Sequence, residues 1–268
     1  MRLYTLIFAL CAGLECLFCN PTFAHADEPP TDNWNLPGYL APNNLPDSLA
    51  LLPPPPKKGS LAFELDEESN RVTLTQQDSP RWALAAKDAD LSFPHAADTF
   101  SCALGVLITK QETPHLYILL MRTLADAGAA TGKAKNFYGR HRPYMDNKKP
   151  TCYPKDNEKL LNNGSYPSGH TSIGWAWALI LSEIAPDRSD AILARGRAFG
   201  ESRMVCNVHW QSDVAEGRVV GAATVARLHA DPGFRADLEA ARAELGVVRG
   251  KGLKSRLDCA GEAAALGK

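Results

Sequence analysis

The feature that most constrains this chain is the apolar run at residues 171–184. It is bounded by Pro167-Ser168-Gly169-His170 before it and by Ala185-Pro186 after it. Ser168 suits an N-cap, and Pro186 cannot continue a helix. The run is too short to cross a bilayer, which takes roughly 20 apolar residues. It therefore reads as the buried helix of a bundle. The segments around it are also helical in pattern. Residues 60–77 form one; residues 71–75 within it alternate and allow a short strand instead. Ser79-Pro80 opens a second at 80–89. Further helices are expected at 94–106, at 116–130 after Thr113-Pro114, and at 187–199, the last ended by Gly200. A stretch at 201–229, kinked after Arg203, and a final helix at 233–245 complete the set. Residues 143–163, with Pro150, Pro154 and Asn163-Gly164, read as loop. The fold class is mainly α, a single-domain helical bundle.

Ten of the 19 prolines fall before residue 57. Residues 27–58 are therefore expected to form an extended Pro-rich arm lying along the body or a neighbouring subunit. Residues 1–26 carry the marks of a cleaved signal peptide: Arg2, an apolar run at 3–14, and Ala24-His25-Ala26. That implies export to the periplasm and leaves Cys102, Cys152, Cys206 and Cys259 in the mature chain. Three disulfide pairings are open. Cys206 is read as structural and Cys102 as core. Residues 59–250 form the domain, and residues 251–268 are read as a weakly structured tail. The net charge of −1 offers no field for nucleic acid or an anionic membrane.

Several weaker signals carry chemistry. His209 and Asp213 stand four apart, and on one helix face the carboxylate would take the proton of one ring nitrogen. The other nitrogen would keep its lone pair, as a nucleophilic histidine requires. Ser168 and Gly169 open a helix whose N-terminal N–H groups suit phosphate oxygens, and His170 projects from its first turn. Lys135 and Arg142 supply cations, and an arginine fork suits phosphate. Lys133 and Arg140 read as solvated rim charges. Taken singly, each signal is commoner as a surface pair, a plain cap or a solvated basic face. Trp175, Trp177 and Trp210 read as packing; Phe137, Tyr138 and Tyr144 are candidates for a pocket mouth. His95, His115, His141 and His229 are given no role.

Together, Lys135-x6-Arg142-Pro143, Pro167-Ser168-Gly169-His170 and Ser202-Arg203-x5-His209-x3-Asp213 resemble a three-part signature. It is that of the type 2 phosphatidic acid phosphatases and vanadium haloperoxidases. The chain most resembles the class A bacterial non-specific acid phosphatases, over roughly residues 35–245. The resemblance implies an acid phosphatase that works through a phosphohistidine. Three fixed cations would take the part of a metal ion and repel one, and two histidines cannot supply four metal ligands, so metal independence and no cofactor are expected. In that reading His209 attacks phosphorus, Asp213 orients it and His170 is the acid. Lys135, Arg142, Arg203, Ser168 and Gly169 would hold the phosphate. Small phosphate monoesters are the expected substrates, and relatives imply a homo-oligomer. The intermediate could meet an alcohol as well as water, and a charged His170 beside a free nitrogen on His209 favours a mildly acidic optimum. The mature form should carry no membrane span. The alternatives are a vanadate-dependent haloperoxidase, a lipid phosphatase and a non-catalytic phosphate binder.

Overall fold

The computed structural model describes residues 36–251 and 258–267. The expected signal peptide, residues 1–26, and the first part of the expected arm lie outside the described residues. In chain order the α-helices are α1 (Ser48–Leu51), α2 (Leu61–Leu74), α3 (Pro80–Asp88), α4 (Ser101–Leu104), α5 (Pro114–Ala129), α6 (Gly132–Tyr138) and α7 (Pro143–Asn147). They continue with α8 (Asn157–Leu161), α9 (Gly169–Ile184), α10 (Ser189–Val205), α11 (Gln211–Leu228), α12 (Pro232–Gly250) and α13 (Cys259–Ala265). No strand forms among the described residues; residues 71–74 end α2, and Thr75 is its C-cap, so the helix expected over 60–77 stops at Leu74.

The apolar run becomes α9, and it lies at the centre. α5, α10 and α11 pack around it, and α12 closes over α5. Trp177 is fully buried in this core, and its Nε1 donates to the Leu120 carbonyl at 2.9 Å. The starts follow the local chemistry. Ser60, Ser79, Ser168 and Asp231 each accept a main-chain N–H with the side chain at the N-cap of α2, α3, α9 and α12. The described part of the expected arm lies on the body, but it is not extended throughout: it carries a 3-10 turn, Pro42–Asn44, and α1, capped by Asp47. The Tyr39 and Leu40 amides donate to Asp126, and Tyr166 Oη donates to the Pro53 carbonyl.

Four further expectations need correcting. Gly200 does not end a helix, because α10 runs through it to Val205. A Cβ at Gly200 would lie 2.8 Å from Thr171 Cγ2, so the glycine serves the α9–α10 crossing. The break falls instead at 206–210, where Asn207 adopts φ +62°. Residues 94–106 form a 3-10 turn, His95–Phe100, followed by α4, which stops at Gly105 (φ +78°). Residues 143–163 are not all loop, since they carry α7 and α8. The tail is not weakly structured where it is described. Cys259 opens α13 and is disulfide-bonded to Cys102, and Glu262 pairs with the buried Arg195 at 3.3 Å. Cys102 thus anchors the tail rather than simply filling core.

Candidate active site

The break between α10 and α11 builds the site. The amides of Val208 and His209 both turn back to the Arg203 carbonyl at 3.2 Å. Asn207 supplies the left-handed residue that this turn needs, a conformation asparagine tolerates better than most. Its side-chain amide is held by Asn70 and Asn147 and donates to the carbonyls of Lys149 and Pro150. The Cys152–Cys206 disulfide ties the same turn to the 143–163 segment. His209 therefore sits before α11, not on it. Asp213, in the first turn of α11, reaches back, accepting from the Trp210 amide at 2.8 Å and facing His209 Nδ1 at 3.2 Å. The pair meets as expected, through a turn rather than along a helix face.

The other ring nitrogen, His209 Nε2, lies 3.0 Å from Arg142 Nη1. A guanidinium can only donate, so Nε2 is the acceptor and carries the lone pair. The ring proton is then on Nδ1, directed at Asp213. Burial, followed by the charges of Arg142, Lys135 and Arg203, holds the His209 pKa well below the usual imidazole value. The ring is thus neutral at neutral pH.

Three cations converge beside this nitrogen from separate elements. Arg142, at the N-cap of α7, is 2% exposed and also bonds Asn163 and the Val208 carbonyl. Lys135 of α6 donates from Nζ to the Gly164 carbonyl at 2.6 Å. Arg203 of α10 is 1% exposed, and its Nε and Nη1 have no protein partner. Burial and the nearness of the Arg142 charge push its pKa down to about 9. Burial likewise brings Arg142 to about 10, and Lys135 is lowered well below its usual value by burial and Arg142. Buried guanidinium N–H groups without partners are costly, and an anion would satisfy them.

The N-terminus of α9 closes the group. Ser168 Oγ accepts from the Thr171 amide and hydroxyl, which leaves its own proton to donate. A Cβ on Gly169 would stand 3.7 Å from Lys135 Cε, so this helix end faces the lysine. His170 donates from Nε2 to the Ala89 carbonyl at 3.0 Å, since a carbonyl only accepts. Its Nδ1 is the nitrogen left for chemistry. Burial and the Arg203 charge, then His209 and Arg142, lower its pKa well below the usual value. The structure thus brings together His170, His209, Asp213, Lys135, Arg142, Arg203, Ser168 and Gly169. Among the described residues no three His, Cys, Asp or Glu side chains are grouped as a metal site would need.

Comparison with known proteins assigns the family. Residues 114–236 match the PAP2 superfamily. The chain is 43% identical over 247 residues to the non-specific acid phosphatase of Providencia stuartii, covering 91% of this chain and 98% of that protein. It is 44% identical over 203 residues to the acid phosphatase of Zymomonas mobilis, covering 76% and 77% of the two chains. Identity to the non-specific acid phosphatase of Salmonella typhimurium is 42% over 208 residues, covering 77% and 83%. The chain belongs to the class A bacterial non-specific acid phosphatases.

Within this acid phosphatase fold, sequence reasoning missed three residues that touch the site's machinery. Arg140 is no solvated rim charge. Its side chain is 8% exposed and pairs with both Asp213 and Asp66 at 2.7 Å. Ser165 is fully buried and hydrogen-bonds Asp213 Oδ2, with its Oγ 3.3 Å from His209 Nδ1. Asp66 gave one signal: it shares the helix face of the core residue Phe63. Lys133 does sit at the rim, paired with Asp47 on the surface. Phe137 is exposed, whereas Tyr138 packs edge-on against Tyr166 and Tyr144 donates to the Asn157 carbonyl. Among the described residues no helix is long and apolar enough to cross a membrane.

Proposed function

We propose that this acid phosphatase hydrolyses phosphate monoesters through a phosphohistidine at His209. The observation that carries the reading is the contact of Arg142 with His209 Nε2, because it assigns the lone pair to the nitrogen facing the cations. A bound phosphate would draw Arg142, Arg203, Lys135, the Ser168 hydroxyl and the Gly169 amide onto its oxygens. Charge on the transferring group spreads over those oxygens, so fixed cations stabilise it without a metal ion. The Nε2 lone pair then forms the N–P bond as the ester P–O bond breaks. His170, protonated at Nδ1 once the phosphate offsets the surrounding cations, gives that proton to the leaving oxygen. Asp213 keeps the Nδ1 proton of His209 in place throughout. In the second step a water oxygen attacks phosphorus, His170 takes the water's proton and the N–P bond breaks. An alcohol in place of water would give phosphotransfer.

The grip is on the phosphoryl group, which supports a broad range of monoesters. Two disulfides suit an oxidising compartment and support periplasmic export through residues 1–26. A homo-oligomer is the expected assembly. The vanadate-dependent oxidase reading is not favoured, since the relatives above are named phosphatases and the match covers 98%, 77% and 83% of their lengths. The test is p-nitrophenyl phosphate hydrolysis by the wild type and His209→Ala, each with and without EDTA. Activity surviving the chelator and absent from the variant is the expected result; an active His209→Ala protein would end the reading.

A further inference from the structure

α2 turns a polar face inward. Its buried residues are Phe63, Asp66 and Asn70, which share one side of the helix. A carboxylate buried to 2% exposure is costly unless it is charged against a partner and fully hydrogen-bonded. Asp66 meets both conditions. Its Oδ1 accepts from the Ser212 amide at 2.8 Å, and its Oδ2 accepts from Ser212 Oγ at 2.6 Å and Arg140 Nη2 at 2.7 Å. Arg140 then spends its other terminal nitrogen on Asp213 Oδ1, also at 2.7 Å. One planar guanidinium thus joins two buried carboxylates. One turn along α2, Asn70 Nδ2 donates to Asn207 Oδ1 at 3.0 Å. The helix therefore grips the chain on both sides of His209, two residues before it and three after.

We propose that Asp66 and Arg140 are positioning residues for His209, acting through the Asp213 carboxylate. Neither touches the ring. Arg140 sets the plane of Asp213, and Asp66 fixes Arg140 together with the first turn of α11 that carries Asp213. The inference rests on the phosphohistidine reading. The titratable and charged groups facing His209 are Lys135 from α6, Arg142 from the N-cap of α7, His170 from α9, Arg203 from α10 and Asp213 from α11. Arg140 and Asp66 stand behind Asp213 with opposite signs. Removing the cation lets the ring hold its proton more tightly, and removing the anion does the reverse. The two substitutions should therefore move the His209 titration in opposite directions, each by about half a pH unit at an intermediate dielectric. A merely structural role predicts no such split.

The test compares wild type, Arg140→Gln, Arg140→Lys, Asp66→Asn and His209→Ala. Each is assayed for kcat, KM, the pH profile of kcat/KM, and inhibition by inorganic phosphate. Arg140→Gln should lose roughly 10–100-fold in kcat, as supporting residues typically do. KM and the phosphate inhibition constant should stay within about threefold, because Lys135, Arg142 and Arg203 are untouched. Arg140→Lys should recover part of the loss. The acid limb should rise in pH for Arg140→Gln and fall for Asp66→Asn. Unchanged kcat in Arg140→Gln, a loss shared equally with phosphate binding, or limbs moving the same way would overturn the proposal. If Asp66→Asn fails to fold by circular dichroism, the Arg140 pair decides alone. An active His209→Ala would sink the nucleophile assignment; an inactive one beside a fully active Arg140→Gln would sink only the positioning.

Discussion

The main-chain N–H of Ser168 donates to the main-chain carbonyl of Asp213 across 2.9 Å. The residue that caps α9 and the residue whose carboxylate faces His209 Nδ1 are thus joined backbone to backbone. Side-chain rotation cannot disturb that link, so the proposed phosphate-binding helix end and the proposed nucleophile keep one geometry.

Gly217, one turn further along α11, makes the link possible. A Cβ there would lie 2.7 Å from the Ser168 carbonyl oxygen and 2.8 Å from Thr171 Cβ. Gly217→Ala should therefore force α9 and α11 apart and cost about 1–3 kcal/mol in stability. Urea unfolding measures the loss. Activity per folded molecule should fall as well, and an alanine variant as stable as the wild type would contradict the close packing.

Arg203 gives an opposite prediction. Its Nε and Nη1 are buried without protein partners, and burial brings its pKa to about 9. Arg203→Met should raise the melting temperature of the phosphate-free protein. The same variant should lose most of the stabilisation that inorganic phosphate confers on the wild type. Thermal shift with and without phosphate separates the two effects; a variant less stable than wild type without phosphate would count against the geometry.

The pH dependence of stability follows from His209. Its folded pKa is held well below the unfolded value near 6.5, by burial first and then by Arg142, Lys135 and Arg203. Below about pH 6.5 the unfolded chain binds a proton that the native ring refuses. Stability should therefore fall as pH drops from 6.5 toward the folded pKa, by up to about 1.4 kcal/mol per pH unit from this residue alone. His170 acts in the same direction. Denaturant melts between pH 7.5 and pH 5 should show the slope, and His209→Gln should flatten it. An unchanged slope in that variant would refute the assignment.

The Cys152–Cys206 disulfide closes a loop with a sequence separation of 54 and lies three residues before His209. Cys152→Ser should cost about 2–4 kcal/mol by the chain-entropy account. Because the Asn207 amide network also holds the turn, activity per folded molecule should fall less than stability does. Complete inactivation of a well-folded variant would show that the bridge, not the amides, sets the turn.

What the sequence by itself determined is what local chemistry decides. Caps at Ser79 and Ser168, the proline starts at Pro80 and Pro114, and the apolar run of α9 each act within a few residues, so they could be read before any packing was known. The candidate site residues were legible because their spacing resembles a family signature. Tertiary structure alone decided the partners. Arg140 has the same sequence surroundings whether water or two carboxylates surround it, and its partners Asp66 and Asp213 lie 74 and 73 residues away. The same holds for Cys102 and Cys259, separated by 157 residues. Gly200 and Gly217 carry no local mark of the helix that crosses them. The free energy of a buried charge, a disulfide or a missing Cβ depends on what packing brings near, and distance along the chain does not encode that.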